Sequence, residues 1–449
     1  MARLAGPVVV SELGWMLMGI VDTMMVGRVS AEALGGVSIG GALFATAAII
    51  GLGLLLGLDT LVSQAFGAGD VRDCHRSLVS SLYIALPLAP ILMVLLRLFE
   101  VLLHGWGIQP AVLREVIPYL RAVTWSLVPQ FLFFALRRYL QGMNLVWPVM
   151  FALLSANLVN VAANWVLIFG HLGAPAMGAA GAGWATTLSR IYMTGFLIAY
   201  MFYYDRRERT GLRETPLRPD RDRIRRLIRL GAPAAAQLGL EVSVFATATT
   251  LIGRLDAVSL AAHQIALNLA SFTFMVPLGV SSAAAVRVGQ ALGRGDPAGA
   301  ARSGWAAITL GGAFMACAGL CFLAAPEFIA GLFTADAAVR QAGAVLLLVA
   351  AAFQLFDGIQ VSATGALRGA GDTRTPMIWH LAAYWLVGLP AGYALCFRAG
   401  WGAAGIWTGL CIALILIGIV LLAAWARRVR ALQQQHSLEA VPAGGPRRR

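Results

Sequence analysis

Apolar stretches of roughly 20 or more residues recur about twelve times along this chain between short polar breaks, and each is long enough to cross a ~30 Å hydrocarbon core. That recurrence predicts an all-α membrane protein of twelve transmembrane helices. The approximate spans are 6–27, 33–58, 77–97, 116–142, 147–169, 178–204, 228–250, 258–285, 303–325, 341–367, 375–397 and 402–426. With 59% of the residues hydrophobic and only 12% charged, most of the length cannot be the half-polar surface of a soluble domain. The opening MARLAGPVVV runs on into Glu12 and Asp22, which does not suit the uncharged core of a cleavable signal peptide, so it reads as the first membrane helix.

The charges carry the next constraint. All 34 basic residues are Arg. Without Lys there is no Walker A lysine to hold nucleotide phosphates and no Schiff-base chemistry, so the polypeptide should not hydrolyse ATP itself. The net charge of +13 does not call for nucleic acid, because the Arg residues lie in loops where membrane topology accounts for them. A cytoplasmic N-terminus places about 26 of them inside, including ten in 205–229 and six in 427–449. The five Cys show no CxxC and the six His (His75, His104, His171, His263, His380, His436) are scattered, which reads as packing and loop positions rather than a metal or disulfide framework.

The two halves of the chain repeat one another. Pro7 pairs with Pro233, VGRV at 26–29 with IGRL at 252–255, Leu34 with Leu260, and QAFGAGD at 64–70 with QALGRGD at 290–296, all at the same offset of 226 residues. LQG at 140–142 then matches LRG at 367–369, and GAAG at 178–181 matches GAAG at 402–405. Two six-helix halves follow, and six being even, the repeat is parallel about an axis along the membrane normal. The expected organisation is an N-lobe over 1–204, an Arg-rich cytoplasmic linker over 205–227, a C-lobe over 228–426 and a basic cytoplasmic tail over 427–449. A solvated linker attracted to anionic lipid is the plain reading of the charge run.

Ionisable side chains inside apolar spans cost free energy and call for a partner or a purpose. Glu12, Asp22, Glu241 and Asp357 are such acids, while Asp59 and Arg287 lie near helix ends, where pairing or snorkelling suffices. Gln354, Asp357, Gln360, Thr364 and Arg368 fall within about 120° of one helix face. Glu241 follows Gln237 by one turn, and Asn157, Asn160 and Asn164 form a third polar stripe. Asn and Gln alone serve equally well as interhelical ties. A carboxylate taken out of water favours its neutral form, which is what a proton- or cation-coupling site requires. The acids are not repeated between halves, so each lobe is specialised. GVSIG at 36–40 fits the pattern of a serine-hydrolase elbow but lies in an apolar helix, where close packing explains its glycines better. Pro129, Pro277 and Pro390 sit where membrane helices bend.

VDTMMVGRVSAEALGGVSIG at 21–40, NLVNVAANWVLIFG at 157–170, the run from LAAHQIALN to RVGQALGRGD at 260–296, and FDGIQVSATGALRGAGDTRTPM at 356–377 resemble the multidrug and toxic compound extrusion (MATE) transporters, in their NorM-like branch. The resemblance implies a V-shaped pair of six-helix lobes that exchange small organic cations and drugs for H⁺ or Na⁺ by alternating access. The protein would be a monomer in the inner membrane with both termini cytoplasmic, with no cofactor beyond the coupling ion. Glu241 and Asp357, with Gln237, Gln264 and Gln360, match the C-lobe site, which would also hold any Na⁺; Asp22, Asn160 and Asn164 match the N-lobe site. A Tyr found in some relatives is Phe353 here, one turn before Asp357, so both coupling ions stay open. The alternatives are a lipid-linked oligosaccharide flippase, which would need a basic cavity where this chain offers acids, and an uncoupled channel, which would not need acids in both lobes.

Overall fold

The structure, a computed structural model, describes residues 2–105 and 107–439; Met1, Trp106, the side chains of residue 2 and of 435–439, His436 among them, and the tail beyond residue 439 lie outside the described residues. The first half contains α1 (Ala2–Val26), α2 (Ala31–Leu55) continued by α3 (Gly57–Gly67), α4 (Val71–Leu103), α5 (Pro110–Thr124), α6 (Leu127–Gly142), α7 (Val146–Phe169) and α8 (Gly178–Glu208). The second contains α9 (Arg221–Ile252), α10 (Ala257–Gly293), α11 (Pro297–Ala324), the short α12 (Pro326–Gly331), α13 (Ala337–Gly369), a composite span Arg374–Arg398 and α16 (Gly402–Glu439). The composite span is α14 (Arg374–His380), a π-helical stretch Leu381–Gly388, α15 (Leu389–Tyr393) and a second π-helical stretch Ala394–Arg398.

Among the described residues, ten helices are long and apolar enough to cross a membrane, and α5 with α6, bent by 47°, makes eleven. The expected count of twelve is reached only by adding α8. That helix has 31 residues, about 46 Å at 1.5 Å per residue, but Thr186, Thr187 and Ser189 turn its polar side into the protein and lower its hydropathy. The α5–α6 bend falls just before Pro129, whose missing N–H leaves the chain without a helical bond at that turn. Pro277, by contrast, sits inside an unbroken α10. Pro390 lies between the two π-helical stretches, where the Leu389 N–H reaches back to the Tyr384 carbonyl.

The repeated motifs are helix punctuation. In QAFGAGD and QALGRGD the second glycine adopts the left-handed conformation, with φ of 79° at Gly69 and 70° at Gly295. The Asp that follows caps the next helix: Asp70 accepts from the Asp73 N–H at 2.9 Å and Asp296 from the Gly299 N–H at 2.6 Å. GVSIG lies within α2, where a Cβ on Gly40 would meet the Tyr119 ring at 2.6 Å. Those glycines therefore serve close packing, as the sequence suggests.

One apolar core draws on α1 to α8 together with Leu227 at the start of α9, and another on the later helices from Val244 of α9 onward. A third, smaller cluster joins Leu4 and Val8 of α1 to Val280 and Ala284 of α10. It belongs to a seam between the two sets of helices, at the end nearest residues 209–220. There a Cβ on Gly53 would sit 2.2 Å from Ala235, and one on Gly231 would sit 2.0 Å from the Leu54 carbonyl oxygen. The repeats meet reciprocally across the seam. Gly67 packs on Gln290 and Gly293 on Gln64, while Gln64 donates to the Gly369 carbonyl (3.1 Å) and Gln290 to the Gly142 carbonyl (2.8 Å).

The segment between α8 and α9 and the first turn of α9 make specific contacts with α4. Arg223 pairs with Asp73 at 2.6 Å and donates to Ser77 at 3.1 Å, and Tyr83 donates to the Leu217 carbonyl, so the segment is docked on α4. The Asp205 carboxylate accepts from the Thr210 hydroxyl (2.6 Å) and the Leu212 N–H (2.9 Å). Against the opposing cost of burial, these bonds hold its titration below the usual carboxylate range.

Candidate functional site

Helix α13 carries the polar stripe foreseen on it: Gln354, Asp357, Gln360, Thr364 and Arg368 are all buried, so that face looks into protein rather than lipid. Asp357 accepts from Gln360 Nε2 at 3.0 Å, one turn along the same helix, and Gln354 donates to the Thr273 hydroxyl of α10 at 2.9 Å. Arg368, three turns further on, belongs to the seam instead. From α9, half-buried Glu241 enters the same region and makes no hydrogen bond or ion pair among the described residues. It lies close enough to Asp357 for each carboxyl to act on the other's charge.

Gln237, one turn before Glu241, turns away to His380 Nε2 at 3.4 Å. His380 Nδ1 lies 2.7 Å from the Pro376 carbonyl. A carbonyl can only accept, which puts the ring proton on Nδ1 and leaves Nε2 to take the Gln237 amide. Tyr384, in the π-helical stretch, packs edge-on to His380 at 5.8 Å and to Phe245 at 6.2 Å. Its hydroxyl is buried without a hydrogen-bond partner among the described residues and feels the charge of both Glu241 and Asp357. Phe353 is buried and stacks on Trp407 at 6.0 Å. Gln264 is exposed on α10 and bonds to neither acid among the described residues.

The N-terminal half builds a more fully bonded site. Asp22 of α1 accepts from Asn164 Nδ2 at 2.6 Å and from the Thr186 hydroxyl at 2.8 Å. Asn164 also donates to Asn160 Oδ1 at 3.1 Å, while the buried Asn160 Nδ2 has no partner among the described residues. Asn157 stands apart and ties α7 to the Gly14 carbonyl of α1 at 2.9 Å. Close by, the Arg190 guanidinium lies over Phe44 at 4.6 Å and Trp15 at 5.9 Å, donates to Ser126, and adds positive charge to the surroundings of Asp22. The structure thus gathers Asp22, Asn160 and Asn164 in one cluster and Glu241 and Asp357 in another.

The other buried acids are spoken for. Glu12 pairs with Arg137, Glu100 with Arg121, and Asp59 with Arg138 at 3.5 Å and with Arg368 at 3.2 Å. Glu12, conspicuous in the sequence, is therefore a structural ion pair. Glu241 and Asp357 pair with no guanidinium among the described residues, and two carboxyls in one desolvated site cannot both carry charge cheaply. Thr186, Arg190, His380 and Tyr384 do not stand out in the sequence reading. Thr186 and Arg190 are four residues apart on α8, a stripe of the kind read on α13, and so were legible; the π-helical register that turns Tyr384 inward was not.

A family model described as MatE matches residues 7–166 and 233–394. A protein of Mesorhizobium japonicum named "Probable multidrug resistance protein NorM" is 38% identical over 434 residues, covering 95% of this chain and 93% of that relative. Among solved structures, "Crystal structure of MATE in the bent conformation" superposes with a TM-score of 0.88 at 18% identity, covering 97% of this chain and 96% of the other. "Crystal structure of eukaryotic MATE transporter AtDTX14" gives 0.86 at 20% identity, with 97% and 98% covered.

Proposed function

This chain belongs to the MatE family, and we propose that it drives multidrug efflux by making a coupling ion and a cationic drug compete for the carboxylates of Glu241 and Asp357. Multidrug efflux is the function carried by the family and by the relatives named for it. The observation that supports the site is a contrast among the acids within the helices: Glu12, Asp59 and Glu100 each pair with a guanidinium, whereas half-buried Glu241 and buried Asp357 pair with none among the described residues.

A drug entering from the cytoplasm is held by an ionised carboxylate; from the outer side a proton or Na⁺ takes that carboxylate and releases the drug. Only a ligand that binds the two conformations differently can drive the switch, and charge at a desolvated acid supplies the difference. Asp22 with Asn160, Asn164 and Thr186 forms the N-lobe counterpart, a second place where a cation is exchanged. The Tyr384 hydroxyl offers the C-lobe an oxygen that Phe353 does not, which keeps Na⁺ available alongside H⁺. The ten Arg of 205–229 favour a cytoplasmic linker and termini, and the chain works as an inner-membrane monomer.

Efflux of ethidium from proteoliposomes, with Na⁺ and pH gradients imposed separately, tests this reading. Export driven by one gradient names the ion. Glu241→Gln and Asp357→Asn should each reduce gradient-driven export at least about ten-fold with expression intact, the loss of about 1.4 kcal/mol of coupling or more. Normal export by both variants would remove the pair from the mechanism.

A further inference from the structure

At the seam, between α3 and the inner ends of α9, α10, α13 and α16, lies a cavity of about 470 Å³. Its charged lining is entirely basic: Arg226 and Arg229 of α9 and Arg428 of α16. Arg226 and Arg229 are exposed and make no ion pair among the described residues, although Arg223, one turn earlier, is paired with Asp73 and Asp220. Arg428 donates to the Ala370 carbonyl at 3.1 Å, and its Nε is buried without a partner among the described residues. The nearby acids are engaged elsewhere: Asp59 with Arg138 and Arg368, and Asp372 with the N–H and hydroxyl of Thr375. A larger cavity of about 890 Å³ near the α8 end differs in kind, since Asp205, Glu208 and Glu214 accompany its arginines.

We propose that the 470 Å³ cavity binds the phosphate headgroup of an anionic phospholipid and that the bound lipid holds the seam closed. Three guanidiniums around one space suit a phosphodiester, which they can grip through paired N–H donors. Leu61, Leu230, Leu292 and Leu432 complete the wall, an apolar surface that a free phosphate ion would not use but the glycerol and first methylenes of a lipid would. Basic pockets between membrane helices near a leaflet surface are a recurrent form of headgroup site.

The site also spans both sets of helices. Leu61, Thr60 and Gln64 come from α3, and the arginines from α9 and α16. Thr60 and Gln64 are themselves bonded across the seam, to the carbonyls of Arg368 at 2.6 Å and Gly369 at 3.1 Å. Parting the seam takes one wall from the others, so a ligand that needs all of them binds the closed arrangement preferentially and stabilises it. Binding at this place does not depend on which ion drives transport.

The test uses the full chain in nanodiscs of phosphatidylcholine with and without phosphatidylglycerol, and reads retained phosphatidylglycerol by native mass spectrometry. Spin labels at Ala68→Cys and Arg294→Cys, exposed positions on either side of the seam, report its width. The expected result is retained phosphatidylglycerol with a narrower label distance. Retention should fall about five-fold for Arg428→Gln and further for Arg226→Gln with Arg229→Gln, at about one factor of five per guanidinium. Arg430→Gln, on the same helix but outside the cavity, should change nothing. An equal loss with Arg430→Gln would mean diffuse surface attraction and overturn the site. Full displacement of the lipid by inorganic phosphate would overturn the lipid assignment, and an unchanged label distance would overturn the coupling to closure.

Discussion

Replacing Arg368 by Gln isolates the charge that holds the seam. Asp59 is almost wholly buried on α3 and receives Arg138 from its own half and Arg368 from the other. At 3.2 Å and an effective dielectric of ~20, the Asp59–Arg368 attraction is about 5 kcal/mol gross. Part of that is offset by the hydration Arg368 regains when the seam opens, which leaves a net preference for closure of about 2–3 kcal/mol. Arg368→Gln leaves Asp59 with Arg138 and strands no lone buried carboxylate. The expected result is a 30- to 150-fold shift towards the open seam, at about 1.4 kcal/mol per factor of ten. The Ala68→Cys and Arg294→Cys spin-label pair, in a background without the native cysteines, would read it as a second, longer distance population. Asp59→Asn should shift the equilibrium further, since it leaves two buried guanidiniums facing each other. An unchanged distance distribution in both variants would refute an electrostatic seam.

Three further outcomes follow from the geometry. Gly231→Ala puts a methyl 2.0 Å from the Leu54 carbonyl oxygen, a backbone atom that cannot yield locally. It should destabilise the closed seam by about 1–3 kcal/mol, seen as increased maleimide labelling of a cysteine placed there. Asn164→Ala removes the 2.6 Å donor to Asp22 and should cost about 1–3 kcal/mol, read as a lowered midpoint of thermal unfolding in detergent; an unchanged midpoint would mean that the bond is replaced by water. For the linker, a carboxyl whose titration is depressed in the folded state contributes stability above its unfolded value and loses it as pH falls through the folded one. Hydrogen exchange at 209–214, corrected for intrinsic rates, should therefore stay slow from neutral pH to below about pH 4 and then accelerate. In Asp205→Ala it should be fast throughout.

Most of the fold was legible because lipid leaves few options. Apolar runs mark the spans, and the 226-residue repeat marks the halves through positions where a left-handed glycine and a capping aspartate leave little choice. The count of spans was less legible, because α8 hides a polar side inside the protein and so lacks the uniform hydropathy by which its neighbours are read. At the candidate sites, the stripe on α13 and the Asn160/Asn164 spacing on α7 could be read from helical periodicity. Partners could not: nothing local tells Glu12, which finds Arg137, from Glu241, which finds no cation, since the pairing joins residues 125 apart. Tyr384 depends on a π-helical stretch, where the 3.6-residue period used to assign faces does not hold.

The reciprocal bonds of Gln64 with Gly369 and Gln290 with Gly142 have the form of an isologous contact, the kind that relates two identical subunits about a two-fold axis. The chain is, in that sense, a homodimer whose subunits have been joined end to end and then allowed to diverge. One difference between the halves falls at the seam itself: by the repeat, Arg368 stands where the first half has Gln141, and Asp59 where the second has Ala285. Two copies of the first half would set Asp59 against an amide, and two of the second would set Arg368 against a methyl group. Only the mixed pair gives the carboxylate a guanidinium from across the seam, so halves made as separate chains and cut within 209–220 carry in their own charges the instruction to assemble with each other rather than with themselves.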